Sequence, residues 1–172
     1  MPNPPAGKTR SPLVWLWLSL ALLLLDQLSK FYFENSLSLY QQVVVIPDYF
    51  SWVLAYNTGA AFSFLAGAGG WQRWFFALIA LIASLVLVIW MKRLRNNETW
   101  LAIALALVLG GAVGNLIDRM LHGHVIDFIL VHWQSRWYFP AFNLADIAIS
   151  IGAAMLVLDM FKPQKKTEAS HD

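Results

Sequence analysis

The stretch Trp100-Leu-Ala-Ile-Ala-Leu-Ala-Leu-Val-Leu-Gly110-Gly111-Ala-Val-Gly114-Asn115-Leu-Ile-Asp118-Arg119 decides the fold. A helix rises about 1.5 Å per residue, and crossing a bilayer core takes about 20 mostly apolar residues. Residues 100–117 therefore read as a membrane span that ends in polar groups. Gly110 and Gly114 form a small-xxx-small face suited to close helix contact. Close packing does not account for Asn115, Asp118 and Arg119 arriving together at the end of an apolar run.

The whole chain supports that reading. Its 172 residues are 59% hydrophobic and 13% charged, whereas soluble domains run near 45–50% and about 25%. A water-soluble globule is excluded, and an aromatic share of 15% excludes intrinsic disorder. The net charge of +2 comes from scattered basic residues, so no nucleic-acid partner is expected. With no cysteine the chain has no disulfide, thiolate nucleophile, Cys-based zinc site or cysteine of its own to lipidate.

Three further spans are expected: 13–33, interrupted by Asp26, Gln27 and Lys30; 74–91, free of charge; and 145–161, with Asp146 and Asp159 near its ends. Residues 1–172 then form a single membrane domain. Its outer connections are 34–73 and 118–144, and 162–172 is a polar tail. Lys and Arg bias sets the orientation. With both termini cytoplasmic, the inner segments carry Lys8, Arg10, Lys92, Arg93, Arg95, Lys162, Lys165 and Lys166. The outer segments carry only Arg73, Arg119 and Arg136. Residues 8–25 are similar to a secretory signal peptide, but Asp26-Gln27-Leu28-Ser29-Lys30 follows instead of a small-residue cleavage site, so an uncleaved anchor is expected.

In the first outer connection, residues 43–56 are β-branched and aromatic around Pro47-Asp48 and predict two short strands. Residues 66–70 (Ala-Gly-Ala-Gly-Gly) predict a flexible link into Trp71-Gln72-Arg73-Trp74, read as a surface-lying helix. The expected class is thus an all-α membrane protein of four spans with a small outer β-sheet. Residues 120–143 are punctuated by Gly123 and Pro140.

Ionisable groups at bilayer depth cost at least about 2.5–3.5 kcal/mol on insertion scales, so each needs a reason. Asp26 and Lys30 share a helix face at i, i+4. They are either a self-neutralising pair with Lys30 snorkelling outward, or a pair that also braces a polar cavity. Asp127 lies in the apolar run Val125 to Leu130, where low dielectric favours the protonated acid. Asn143 is a candidate N-cap that puts Asp146 at the third helical position, where the helix dipole favours the ionised form. Two carboxyls at one depth in opposed environments form an acid–base pair. Asp127 and Asp146 are therefore the expected dyad, with Asp127 protonated and Asp146 ionised at rest.

Other chemistries fit less well. His-Glu-x-x-His, Gly-x-Ser-x-Gly and P-loop patterns are absent. His122, His124, Asp127 and His132 match no zinc spacing, and Ser29 and Lys30, being adjacent on a helix, face different ways. No metal or cofactor is expected. A proton-coupled transporter would place its charges near mid-membrane in repeated halves, and no repeat is visible. A structural adaptor remains a third reading.

Five blocks in order carry a family likeness: Asp26 to Lys30, Asn57-Thr58-Gly59-Ala60-Ala61-Phe62, Gly110 to Arg119, Val125 to Phe128, and Phe142 to Asp146. In these the chain resembles the bacterial lipoprotein signal peptidases (signal peptidase II) over about 13–161. The resemblance implies an inner-membrane aspartyl protease, its active site facing outward. Asp127 and Asp146 would be its catalytic pair. The substrate would be a diacylglyceryl-modified prolipoprotein, cut just before the lipidated Cys, with one aspartate activating water and the other protonating the carbonyl oxygen and then the leaving amine. Asn57, Gly59, Asn115, Arg119 and Asn143 match positions lining the substrate site, and Asp26, Lys30 and Asp118 match structural ones. The likeness further implies contact with membrane lipid, inhibition by globomycin, and a small β-sheet cradle outside the bundle. A monomer is expected, and residues 65–74 are expected to close over the peptide.

Overall fold

The computed structural model describes residues 11–59, 69–134 and 136–161. After a 3-10 turn at Pro12–Trp15, the elements are α1 (Leu16–Ser36), β1 (Gln42–Ile46), β2 (Phe50–Asn57), α2 (Trp71–Arg93), α3 (Thr99–Leu121), β3 (Val125–Trp133), β4 (Trp137–Tyr138) and α4 (Leu144–Met160). The chain is mostly helical. The segments Pro12–Ser36, Trp71–Arg93 and Thr99–Leu121 are long and apolar enough to cross a membrane, whereas α4 has 17 residues.

Helix α3 is central, packed against α1, α2 and α4, and its small residues permit that close approach. Ala102, Ala104, Leu105 and Ala106 are fully buried, and Leu105, Ala106 and Leu109 pack with Leu87 and Met91 of α2. By contrast Leu78, Ile82, Leu85 and Val86 of α2 are more than half exposed or nearly so, an apolar outer face suited to lipid. Glycines set the helix separations. A Cβ at Gly110 would lie 2.9 Å from the Ser19 carbonyl oxygen of α1, and one at Gly111 would collide with the Ala145 carbonyl oxygen of α4. The Gly110/Gly114 face expected from the sequence therefore meets α1, while Gly111 and Gly152 serve the α3–α4 contact that the spacing did not disclose.

The two strands expected within 43–56 are β1 and β2, antiparallel about the turn at Pro47–Tyr49. They belong to a four-stranded antiparallel sheet of order β1-β2-β3-β4. Pairing of β2 with β3 ties the connection after α1 to the connection after α3, so the sheet sits where α1 and α3 end and α4 begins. The register sets Ala55 opposite Asp127 and Asn57 opposite Val125. With a side-chain period of two, Asn57 and Asp127 share one face.

One expectation about the elements needs correction. Trp71–Trp74 is the first turn of α2, continuous with the span, and not a separate surface helix. Nothing in that stretch interrupts the α-helix. The break falls at Gly69 and Gly70, whose φ of 80° and 96° only glycine adopts without strain. The connection 118–144, in which the sequence shows only the punctuation at Gly123 and Pro140, holds β3 and β4. Residues 65–68 of the expected closing segment lie outside the described residues.

Candidate active site

Helix α4 begins with a reciprocal cap. Asn143 Oδ1 accepts the Asp146 backbone N–H at 3.0 Å, and Asp146 Oδ2 accepts the Asn143 backbone N–H at 3.3 Å. This is the carboxylate counterpart of the capping box, and it satisfies two donors that a helix start leaves open. Accepting with its oxygen turns the Asn143 amide nitrogen the other way. That nitrogen donates to Asp127 Oδ1 at 2.7 Å. One asparagine side chain thus joins the two aspartates named from the sequence.

Asp127 lies in β3 between Ile126 and Phe128 and is 2% exposed. Burial, and after it the nearby Asp146 charge, push its carboxyl up to about 8, against hydrogen bonds from Asn143 and Asn57 that favour the anion. Asp146 has a different environment. Its Oδ1 accepts from Asn115 Nδ2 at 2.8 Å while its Oδ2 accepts the cap. Both oxygens therefore face groups that only donate, an arrangement suited to the carboxylate.

Arg119 completes the rim, one turn beyond Asn115 on α3. Its Nη1 donates to the Asn115 carbonyl at 3.1 Å and its Nη2 to the Gly59 carbonyl at 3.0 Å. Gly59 in turn donates its N–H to Asn57 Oδ1 at 3.0 Å, an Asx turn that fixes the end of β2. A cavity of about 450 Å³ opens here, lined among others by Asn57, Asn115, Arg119, Asp146, Phe142 and Ile151. It has polar groups at one end and continues along an apolar stretch of α4.

Behind the rim, Lys30 departs from one of the two sequence readings. It does not snorkel. It is 1% exposed, with Nζ 2.7 Å from Asp26 Oδ2 and 2.8 Å from Asp118 Oδ2, and it donates to Asn115 Oδ1 at 3.0 Å. Asp118 is on α3 and faces the bundle interior, so the ammonium is drawn inward to a second carboxylate. Each carboxylate also holds a backbone N–H of the residue that precedes Asp146 or Asp127. Asp26 Oδ1 accepts from Ala145 N at 2.9 Å, and Asp118 Oδ2 accepts from Ile126 N at 3.2 Å. Gln27 joins the same cluster, donating to Asp118 Oδ1 at 2.9 Å. Its place in the Asp26–Lys30 block marked it only as a polar interruption.

The structure therefore sets Asn57, Asn115, Arg119 and Asp146 on the wall of one cavity, with Gly59 bonded to Asn57 and Arg119 and with Asn143 and Asp127 buried next to Asp146. Asp26, Lys30 and Asp118 form a buried cluster joined to them through Asn115. The histidines do not join them as a group. His132 Nε2 lies 3.1 Å from Ser51 Oγ and its ring stacks on Tyr138, while the His124 ring lies against Tyr56.

The chain also matches known proteins. The family described as signal peptidase (SPase) II matches residues 18–162. The chain is 69% identical over 172 residues to the lipoprotein signal peptidase of Pseudomonas putida strain KT2440, covering all of both chains. It is 69% identical over 159 residues to that of Pseudomonas aeruginosa strain PAO1, covering 92% of this chain and 94% of the other. A bacterial membrane enzyme solved by the in meso method at 2.3 Å superposes with a TM-score of 0.80 at 28% identity, over 92% of this chain and 94% of its own. A second, at 1.9 Å, gives a TM-score of 0.74 at 29% identity, over 88% and 94%. With two carboxyls joined through one asparagine beside helices of membrane-spanning length and this match along its length, the chain belongs to the signal peptidase II family.

Proposed function

We propose that the chain is an aspartic endopeptidase that removes the signal peptide from diacylglyceryl-modified prolipoproteins, cutting just before the lipidated Cys, with Asp127 and Asp146 as its catalytic pair. The observation that carries this reading is the Asn143 side chain, bonded to Asp127 through its nitrogen and to the backbone of Asp146 through its oxygen. It holds two carboxyls of opposite character at one place.

The chemistry follows from their environments. Asp127, held protonated at neutral pH, donates to the scissile carbonyl oxygen. Asp146, as carboxylate, takes a proton from the water that attacks the carbonyl carbon. A gem-diol results, with Asp146 now protonated and Asp127 ionised. On collapse the C–N bond breaks, the leaving nitrogen takes the proton from Asp146, and a diol hydroxyl returns one to Asp127. This ordering restores both groups at once, so the amine's proton comes from Asp146. The Asn57, Gly59 and Arg119 chain at the rim lines the peptide's path, and the apolar end of the cavity along α4 suits the lipid-embedded part of the substrate.

Helix α4 is the fourth span. Its 17 residues reach about 26 Å, it carries no charge between Asp146 and Asp159, and Val157 and Leu158 are exposed apolar groups. The protein then spans the bacterial inner membrane four times, works as a monomer, keeps both termini in the cytoplasm and turns the dyad outward, as the basic-residue bias indicates.

The test is incubation of the purified protein with a diacylglyceryl prolipoprotein and with its unlipidated precursor. The lipidated substrate alone is expected to be cleaved, globomycin to block cleavage, and Asp127→Asn and Asp146→Asn each to abolish it. Full turnover in either variant removes the dyad.

A further inference from the structure

We propose that Lys30 is a positioning residue for the catalytic pair: by fixing the orientation of the Asn115 amide, it keeps an N–H donor on Asp146 and so makes Asp146 the base. This rests on the dyad reading above and assigns Lys30 a part in the reaction beyond holding helices together.

An asparagine amide between two partners has two orientations of similar shape, and the neighbours select one. At Asn115 the selection comes from Lys30. An ammonium only donates, so the amide atom 3.0 Å from Nζ is the oxygen. Asn143 Nδ2 also reaches that oxygen at 3.3 Å, but its two hydrogens are shared with Asp127 Oδ1 at 2.7 Å and the Ile126 carbonyl at 3.3 Å, so the shorter bond from the ammonium is the stronger selector. The Asn115 nitrogen is left facing Asp146 Oδ1 at 2.8 Å. If Lys30 were neutral and non-donating, the flipped amide would present its oxygen to Asp146, and that contact holds only when Asp146 carries a proton. Lys30 thus discriminates between the protonation states of a carboxyl it does not touch.

Lys30 is itself unable to swing away. Asp26 and Asp118 clamp it from both sides at 2.7 and 2.8 Å, on α1 and α3 respectively, and it is 1% exposed. Those two carboxylates consume the rest of its donor capacity, so a third donor remains for Asn115 alone. The charged groups acting on Asp146 are then Asp127 from β3 and Arg119 from α3 directly. Lys30, Asp26 and Asp118 act through one intervening amide.

The experiment is the pH dependence of kcat/KM on a lipidated substrate, for two variants and their combination. Asn115→Leu removes the amide and leaves Lys30 both ion pairs. Lys30→Met/Asp26→Asn/Asp118→Asn removes the cluster's charge, while each new amide oxygen can still accept from Ala145 N or Ile126 N. A hydrogen bond to a charged group corresponds to about 1–2 pH units of proton affinity. The acid limb, which reports ionisation of the base, is expected to move up by about 1–2 units in each variant. At pH values below the limb this is a loss of about 10- to 100-fold. Combining the two is expected to add no further shift, because both act through Asn115.

A purely structural Lys30 lowers the amplitude with the folded fraction and leaves the limb in place. That result in protein that melts cooperatively overturns the proposal, as do additive shifts in the combined variant. An unmoved limb in Asn115→Leu also overturns the proposal, whether or not the triple variant melts cooperatively. The dyad reading fails separately, through retained turnover in Asp127→Asn or Asp146→Asn.

Discussion

Replacing Asp127 with Asn tests the protonation state on which the mechanism depends, and its sharpest consequence is for stability. The folded chain holds the Asp127 proton up to about pH 8, whereas an unfolded carboxyl releases it near 3.8. Between those values the folded state binds one more proton than the unfolded state, so this residue makes stability fall as pH rises. The slope approaches about 1.4 kcal/mol per pH unit across pH 5 to 7 and flattens above 8. Asn copies the neutral acid: one oxygen accepts from Asn143, and an NH2 stands where the hydroxyl was. It has nothing to titrate. For a chain of this length about 1 kcal/mol corresponds to roughly 2–4 °C in Tm. The parent is therefore expected to lose about 3–6 °C per pH unit relative to Asp127→Asn between pH 5 and 7. The variant becomes the more stable protein at pH 9 while remaining inactive throughout. Thermal unfolding in one detergent at pH 5, 6, 7, 8 and 9 measures this. Parallel Tm curves for the two proteins would falsify the assignment of Asp127 as the resting proton donor.

Other changes probe the scaffold. Asn143→Ala removes the α4 cap and the bond to Asp127 together; thermal melts should show a loss of about 1–2 kcal/mol, and turnover should fall below a hundredth of the parent's. Gly111→Ala sets a methyl against the Ala145 carbonyl oxygen, so it is expected to lower both Tm and kcat, whereas Gly69→Ala, with open space around it, should act only through its backbone conformation. Arg119→Lys keeps the charge but loses the planar fork whose Nη1 and Nη2 reach the carbonyls of Asn115 and Gly59, so steady-state kinetics should show KM rising more than kcat falls.

Much of this architecture is readable from residues 100–119 and the segments like them, because an apolar run of bilayer length has few other uses. The two carboxyls proposed as the dyad are readable for a related reason: Asp127 and Asp146 stand where an unsupported charge is costly. Strand β3 was not legible. Val125 to Phe128 are all buried, so the strand lacks the in–out alternation that marks one, and its apolar run resembles a membrane-dipping loop. Trp71 to Trp74 misled in the other direction, since aromatic residues at an interface look alike whether a helix lies flat or begins to descend. The direction taken by Lys30 depends on Asp118, 88 positions away in the chain, and no local pattern carries that information. Spacing disclosed Gly110 with Gly114 but not Gly111, because the motif describes one face of a helix and α3 is packed on several.

The ion pair between Asp26 and Lys30 has a consequence for how the protein is made. Asn115 and Asp118 are synthesised 85 or more residues after Lys30. A first helix that leaves the ribosome and meets lipid alone brings its own counter-charge, one turn away on the same face. The pair crosses as a near-neutral unit, and only the later arrival of α3 converts an insertion safeguard into the keystone of an enzyme.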